Sequence, residues 1–367
     1  MKGLFEKSEI CGMTLANRFV RSATWEGMAA EDGTVTPKLT ETMTALAAGG
    51  VGLIITSHAY VRRDGQASPR QLGICRDELV PGLRKMTEAV HLNGGKMVVQ
   101  LAHAGHFAPE LLIGRSPLAV SVFSGLTDAP RKEITTEDIH AIVADYADAA
   151  LRAKNAGFDG VEIHGAHGYL LSQFLSSAFN RRGDEYGGDI RNRVRIHVDI
   201  CKAIRKAVGM DYPILIKLNG RDFIENGLEL EESMQAAGLL AEAGFDAIEL
   251  SGGTITSGKL SPNRSKIDSE DKEAYFREEA RAIKKTIHIP LILVGGIRSL
   301  EVAGRLVEEG LADYISMSRP FIREPGLINR WRSGDRRRAT CISDNLCFRP
   351  GFNGRGIYCV TEEREQK

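Results

Sequence analysis

The stretch "TTEDIHAIVADYADAALRAKNAGFDGVEIHG", residues 135–165, decides the fold. Its first part reads as a helix. Ile139, Ile142, Val143, Tyr146, Ala150 and Ala153 recur at three-to-four spacing, which gathers them on one face. Thr135, with Asp138 three residues on, is a start signal, and Gly157 is a stop. Directly after the glycine comes "GVEIHG" (160–165), a short apolar run of strand character.

The same grammar extends in both directions. The other strand-like runs are "RFVRSA" (18–23), "VGLIITS" (51–57), "MVVQLA" (97–102), "ILIKLNG" (214–220), "AIELSG" (247–252), "LILVGG" (291–296) and "DYISMS" (313–318). Residues 229–244 and 299–310 repeat the helix that stops at a glycine. Near-continuous apolar strands alternating with helices mean a parallel sheet covered on both faces. Eight such units predict an α/β chain folded as a (β/α)8 TIM barrel, in preference to a doubly wound open sheet. The expected division is a barrel over residues 1–335 and a short cysteine-containing tail over 336–367.

Composition narrows the class of function. The 367 residues carry no formal net charge, so nothing steers the chain toward nucleic acid or an anionic membrane. The longest uncharged run, residues 43–61, contains three glycines and a histidine and does not read as a membrane span. The start, "MKGLFEKSEICG", lacks the apolar core of a signal peptide, and six scattered cysteines do not form a secreted disulfide framework. A cytoplasmic enzyme is expected.

Strand parity then sorts the polar residues. Within 214–220, Ile214, Ile216 and Leu218 face the helices, and Leu215, Lys217 and Asn219 face the barrel axis. The same rule sends Gln100, Glu162, His164 and Glu249 inward, toward the strand ends where barrels build active sites. Several chemistries are open to these groups. His164 and His167 could polarise a substrate oxygen, bind zinc with Glu162, or satisfy backbone groups. Tyr169, two residues on, suits a proton donor. Lys217 could form a Schiff base, hold an anionic cofactor edge, or pair with Glu162 or Glu249. Gly295-Gly296, followed one strand later by Ser318-Arg319, has the makings of a phosphate cradle.

The segment "HGAHGYLLSQFLSSAFNRRGDEYGGDIRNR" (164–193), with "LANRFVRSAT" (15–24), "VVQLAHAG" (98–105), "LILVGGI" and "ISMSRPFI", resembles the old yellow enzyme family of flavin-dependent ene-reductases. It is most similar to the branch containing 2,4-dienoyl-CoA reductase, cut down to its flavin barrel. The resemblance implies FMN as cofactor, NADH or NADPH as co-substrate, and reduction of the activated C=C bond of an α,β-unsaturated carbonyl compound. It implies that His164 and His167 bind the substrate carbonyl and that Tyr169 donates the proton. Ser22, Ala23, Thr24 and Trp25 run beneath the flavin, with Trp25 also narrowing the substrate pocket. His58 takes a flavin-contacting position with an unusual side chain. Gln100 bonds the pyrimidine edge, and Lys217 stands where a basic residue, more often arginine, lies beside the ring's anionic nitrogen. Gly295, Gly296, Ser318 and Arg319 hold the phosphate.

In larger relatives the tail holds a four-iron cluster with the pattern C-x2-C-x3-C-x11-C. Here Asp344 stands at the second position and Cys347 comes one residue early, so a degenerate, capping tail is expected. Iron on Cys341, Cys347 and Cys359 is the weaker alternative. The implied partners are a small enone or enal, with a homo-oligomer allowed. The competing activities are a lyase using Lys217 as Schiff base on a phosphorylated substrate, and a flavoprotein running substrate oxidation or demethylation.

Overall fold

In the computed structural model of the chain, which describes residues 3–127 and 129–366, the opening stretch becomes helix Thr136–Asn155 and strand Gly160–Gly165. The helix starts as its sequence requires. Thr135 Oγ1 accepts from the Asp138 amide at 3.1 Å, and the Asp138 carboxylate accepts from the Thr135 amide at 3.1 Å. Such a cap is worth about 1 kcal/mol. Ile139, Ile142, Tyr146, Ala150 and Ala153 are buried against the sheet, and Gly157 turns the chain with φ 83°.

Eight strands close into one parallel barrel: β1 (Phe19–Arg21), β2 (Leu53–Tyr60), β3 (Met97–Ala102), β4 (Gly160–Gly165), β5 (Ile214–Asn219), β6 (Ala247–Ser251), β7 (Leu291–Leu293) and β8 (Tyr314–Met317). Each strand lies beside its neighbours in sequence, and β8 closes against β1. The expected (β/α)8 architecture is the observed one. Parity holds as well. Ile214, Ile216 and Leu218 pack in the large cluster between sheet and helices, whereas Leu215 joins a separate cluster inside the barrel.

That inner cluster has a floor which strand periodicity does not announce. A hairpin of Ser8–Ile10 and Met13–Leu15 turns at Cys11-Gly12, with φ 44° and 76°, and sends Ile10, Met13 and Leu15 into the inner cluster. Two consecutive left-handed residues make the tight turn whose twist suits a hairpin. Arms of three residues are too short to show an alternation.

One strand departs from simple parity. On β2, Ile55 pairs with Val98 but His58, not Ser57, pairs with Gln100, so β2 carries an extra residue. Thr56 Oγ1 accepts the Gln100 amide at 3.3 Å within this irregularity. A bulge of this kind re-aims the side chains beyond it. His58 therefore lies beside Gln100 and lines the barrel mouth, although strict alternation from Leu53 and Ile55 would turn it outward.

The tail folds back over the barrel. The Ala339 amide donates to Arg298 O and the Ile357 amide to Glu26 O, both at 2.9 Å, and Phe352 packs on Trp25 with ring centroids 4.9 Å apart. Among the described residues no helix is long and apolar enough to cross a membrane.

Candidate active site

A cavity of about 380 Å³ opens at the carboxyl ends of the strands. Ser22, Ala23, Thr24 and Trp25 enter it after β1, His58 from β2, Gln100 from β3, and His164, His167 and Tyr169 from β4 and the turn beyond. Lys217 enters from β5, Gly296 after β7, and Ser318 and Arg319 after β8. Gly295 adjoins them in sequence. Residues far apart in the chain thus face one space.

The turn after β4 shapes the catalytic candidates. His167 has φ 64° and Gly168 φ 84°, a left-handed pair. That region costs a residue with a Cβ roughly 1–2 kcal/mol, and such strain persists only where the surroundings hold it. Here the His167 amide donates to Asn219 Oδ1 at 3.3 Å, and His167 Nε2 lies 2.8 Å from Ser251 Oγ. The turn folds the His167 ring back onto His164, centroids 5.2 Å apart, and leaves Tyr169 5.0 Å from His164. Tyr169 also stacks parallel to His58, with its hydroxyl 3.2 Å from His58 Nε2.

Burial sets the protonation states. It holds His164 and His167 well below the ordinary imidazole range, aided by neighbouring cationic groups, and lowers His58 to about 4. All three rings are therefore neutral at pH 7. Burial also pushes the Tyr169 hydroxyl up to about 12, so it keeps its proton. His164 Nδ1 and the Trp25 indole Nε1 are buried without a hydrogen-bond partner. Buried polar atoms are rarely left so, and a polar ligand in the cavity would satisfy them.

Below this layer the charges are matched. Lys217 Nζ donates to Glu249 Oε2 at 2.6 Å and to Ser22 Oγ at 2.8 Å. Ser316 Oγ donates to the other Glu249 oxygen at 2.6 Å, and Gln100 Nε2 donates to Glu162 Oε2 at 2.6 Å. Of the two acids that sequence offered Lys217, Glu249 is the ion-pair partner. Burial favours the acid form of both. For Glu249 the Lys217 charge and the hydrogen bonds from Lys217, Ser316 and Glu162 together outweigh burial and lower the group, while Glu162, buried and facing the Glu249 charge, is raised well above its ordinary value.

At the far strands, Gly295 and Gly296 have φ 140° and 72°, and a Cβ on Gly296 would lie 2.6 Å from the Tyr275 ring. Only glycine suits that turn. Arg319 donates to Arg264 O at 2.8 Å and Asn345 Oδ1 at 2.6 Å, which fixes its guanidinium at the rim. Glycine turn, Ser318 and Arg319 are together a set of donors that fits a phosphate monoester, and the mouth beside them fits a flat heterocycle. These residues fit FMN.

Among the cavity residues that escaped the sequence reading are Ser251, Arg298 and Phe348. Ser251 was within its reach, because Glu249 points inward and Ser251 follows two places on. Arg298, directly after the glycine turn, carries its own signal in "GGIRS". Phe348 comes from the tail, and nothing local marks it as a pocket residue. Cys341, Cys347 and Cys359 do not line the cavity; all three are free thiols, and among the described residues no group of three or more His, Cys, Asp or Glu side chains is placed to hold a metal ion.

The class so defined is a (β/α)8 barrel with proton-handling, charge-paired and phosphate-sized subsites gathered at one mouth. The chain belongs to the NADH:flavin oxidoreductase / NADH oxidase family, whose description matches residues 3–337, and with it to the old yellow enzymes. It is 38% identical over 348 residues to an NADH oxidase of Thermoanaerobacter brockii, covering 94% of this chain and 53% of that protein. Among solved structures, a 2-naphthoyl-CoA reductase matches 98% of this chain and 56% of its own, with TM-score 0.89 and 27% identity. An old yellow enzyme homologue from Zymomonas mobilis matches with TM-score 0.77 and 28% identity over 90% of this chain and 92% of its own. The chain thus spans about half the length of the first curated relatives it matches.

Proposed function

We propose that the cavity binds FMN and serves the NAD(P)H-dependent reduction of the C=C bond of an α,β-unsaturated carbonyl compound. Bound FMN supplies the two-electron redox chemistry between the nicotinamide and the alkene. The protein supplies position, hydrogen bonds and a proton. Residues 22–25, Gln100 and Lys217 hold the ring, and Gly295, Gly296, Ser318 and Arg319 hold the phosphate.

His164 and His167, both neutral, present N–H groups to the substrate carbonyl oxygen and draw electron density onto it. Preorganised donors in a water-poor site are worth far more than the same donors in water. Tyr169 OH delivers its proton to the α-carbon, and His58 at 3.2 Å holds that hydroxyl in place. Trp25 and Phe348 give the cavity an aromatic wall suited to a flat, apolar substrate body. The single observation that carries this reading is that the His167 and Tyr169 rings both meet His164, with centroids 5.2 and 5.0 Å from it, on the strand beside Lys217.

A Schiff-base lyase needs a neutral lysine. Lys217 Nζ is instead engaged by the buried Glu249 carboxylate at 2.6 Å and by Ser22, which weighs against that alternative. Absorption spectroscopy of the freshly purified protein is the test. We expect flavin bands bleached by NADH or NADPH and restored by an enone. Colourless protein that cannot be loaded with FMN ends the proposal.

A further inference from the structure

We infer that Glu249 cancels the charge of Lys217, and so sets how much more tightly this site holds reduced than oxidised FMN. The inference rests on the reading of the cavity as an FMN site. A flavin ring gains negative charge on reduction, so an unopposed cation at its edge would favour the reduced form. Lys217 is not unopposed. Its ammonium lies 2.6 Å from Glu249 Oε2, and the two side chains are 2% and 0% exposed. The second Glu249 oxygen is fixed by Ser316, so the acid cannot swing away without losing a buried bond.

Among the described residues no other charge restores the balance. Glu162, beside Gln100, is pushed toward its neutral acid form by burial and by the Glu249 charge. Arg21 is paired with Glu26 at 2.6 Å. His58, His164 and His167 are neutral for the reasons given above. Arg298 and Arg319 face the glycine turn and the phosphate subsite. The layer that meets the ring edge is therefore a neutral pair, and only one of the three Lys217 N–H bonds is left for a ligand. Glu249 is a tuning residue: it acts on the cofactor through Lys217.

The test compares dissociation constants of oxidised FMN and of dithionite-reduced FMN, measured anaerobically, for wild type, Glu249→Gln, Lys217→Gln and the double variant. Glu249→Gln should shift the ratio at least tenfold toward reduced FMN, equivalent to about 30 mV for a two-electron couple. Lys217→Gln should shift it tenfold the other way. The double variant, which removes both charges, should return within threefold of wild type. An unshifted ratio in Glu249→Gln overturns the inference, as does a double variant displaced as far as Lys217→Gln. An unpaired buried lysine is costly, and Glu249→Gln alone can fail to fold. The double variant carries no such charge and then decides by itself. Wild-type protein that takes up neither form of FMN would sink the FMN reading, a result distinguishable from any shift in the ratio.

Discussion

Two rings of side chains occupy the barrel interior, two residues apart on the same strands, and they share almost no chemistry. The lower ring is Val20, Leu53, Ile55, Val98, Leu215, Ala247, Ile292 and Tyr314, sealed from below by Ile10, Met13 and Leu15. On five of the eight strands one inward step replaces Val20 by Ser22, Val98 by Gln100, Leu215 by Lys217, Ala247 by Glu249 and Tyr314 by Ser316. The lower ring is a packed core and the upper ring a hydrogen-bonded charge network. Apolar packing below fixes the strand register, and that register sets Lys217 beside His164 on one side and Glu249 on the other. Stability and chemistry are thus carried by adjacent layers and should separate under mutation.

The sharpest separation is expected at the top of the upper ring. Tyr169→Phe keeps the ring and its stacking but removes the proton. Reduction of an enone by pre-reduced protein should slow on the order of 10²–10⁴-fold, the usual worth of a positioned acid. Reduction of the flavin by NAD(P)H should change little. Stopped-flow traces of the two half-reactions check this, and equal losses in both would remove Tyr169 from the donor role.

The reverse pattern is expected below. Leu215→Ala opens a cavity in a ring that the structure fills, at a cost of about 2–5 kcal/mol in unfolding free energy. FMN affinity and both half-reactions should hold at temperatures where the variant is folded. Urea unfolding beside stopped-flow kinetics tests the pair of claims. A Leu215→Ala protein of normal stability but crippled chemistry would break the division between the rings.

The same division explains what could be read from sequence. All eight strands announce themselves as apolar runs, because their outer faces meet helices and their lower inner face meets other apolar side chains. Lys217 and Gln100 stand out as polar residues interrupting such runs, so parity alone brings them to the mouth. Glu249 was visible in the same way, but its choice over Glu162 as partner of Lys217 depends on barrel register and not on local pattern. His58 was out of reach of parity because one extra residue on β2 reverses its direction. Phe348 and Ser343 line the cavity only because the tail folds back across the barrel, a long-range event with no period to betray it. Resemblance supplied the role of His58 as a cavity residue, and the bulge supplies the physical reason.

Acid should distinguish the rings by a smaller margin, and the sign can be worked out. The lower ring titrates nothing near neutrality, so its contribution is the same at pH 7 and pH 4.5. His58 has its folded pKa lowered from 6.5 to about 4 by burial. The unfolded chain takes up the proton first, so the stabilisation is present above about 6.5 and is lost as pH falls toward 4. Roughly 2.5 units at about 1.4 kcal/mol each put the limit near 3 kcal/mol. Glu162 acts with the opposite sign. Its raised folded value means stability present at low pH and lost as pH rises, which offsets part of the histidine slope in wild type. Comparing wild type with His58→Gln cancels that term, since Glu162 is in both proteins. Between pH 7 and pH 4.5, wild type should lose more unfolding free energy than His58→Gln, whereas Leu215→Ala should run parallel to wild type at every pH. Parallel profiles for wild type and His58→Gln would mean that His58 is solvated or already charged in the folded protein. It would then no longer be a neutral partner for the Tyr169 hydroxyl.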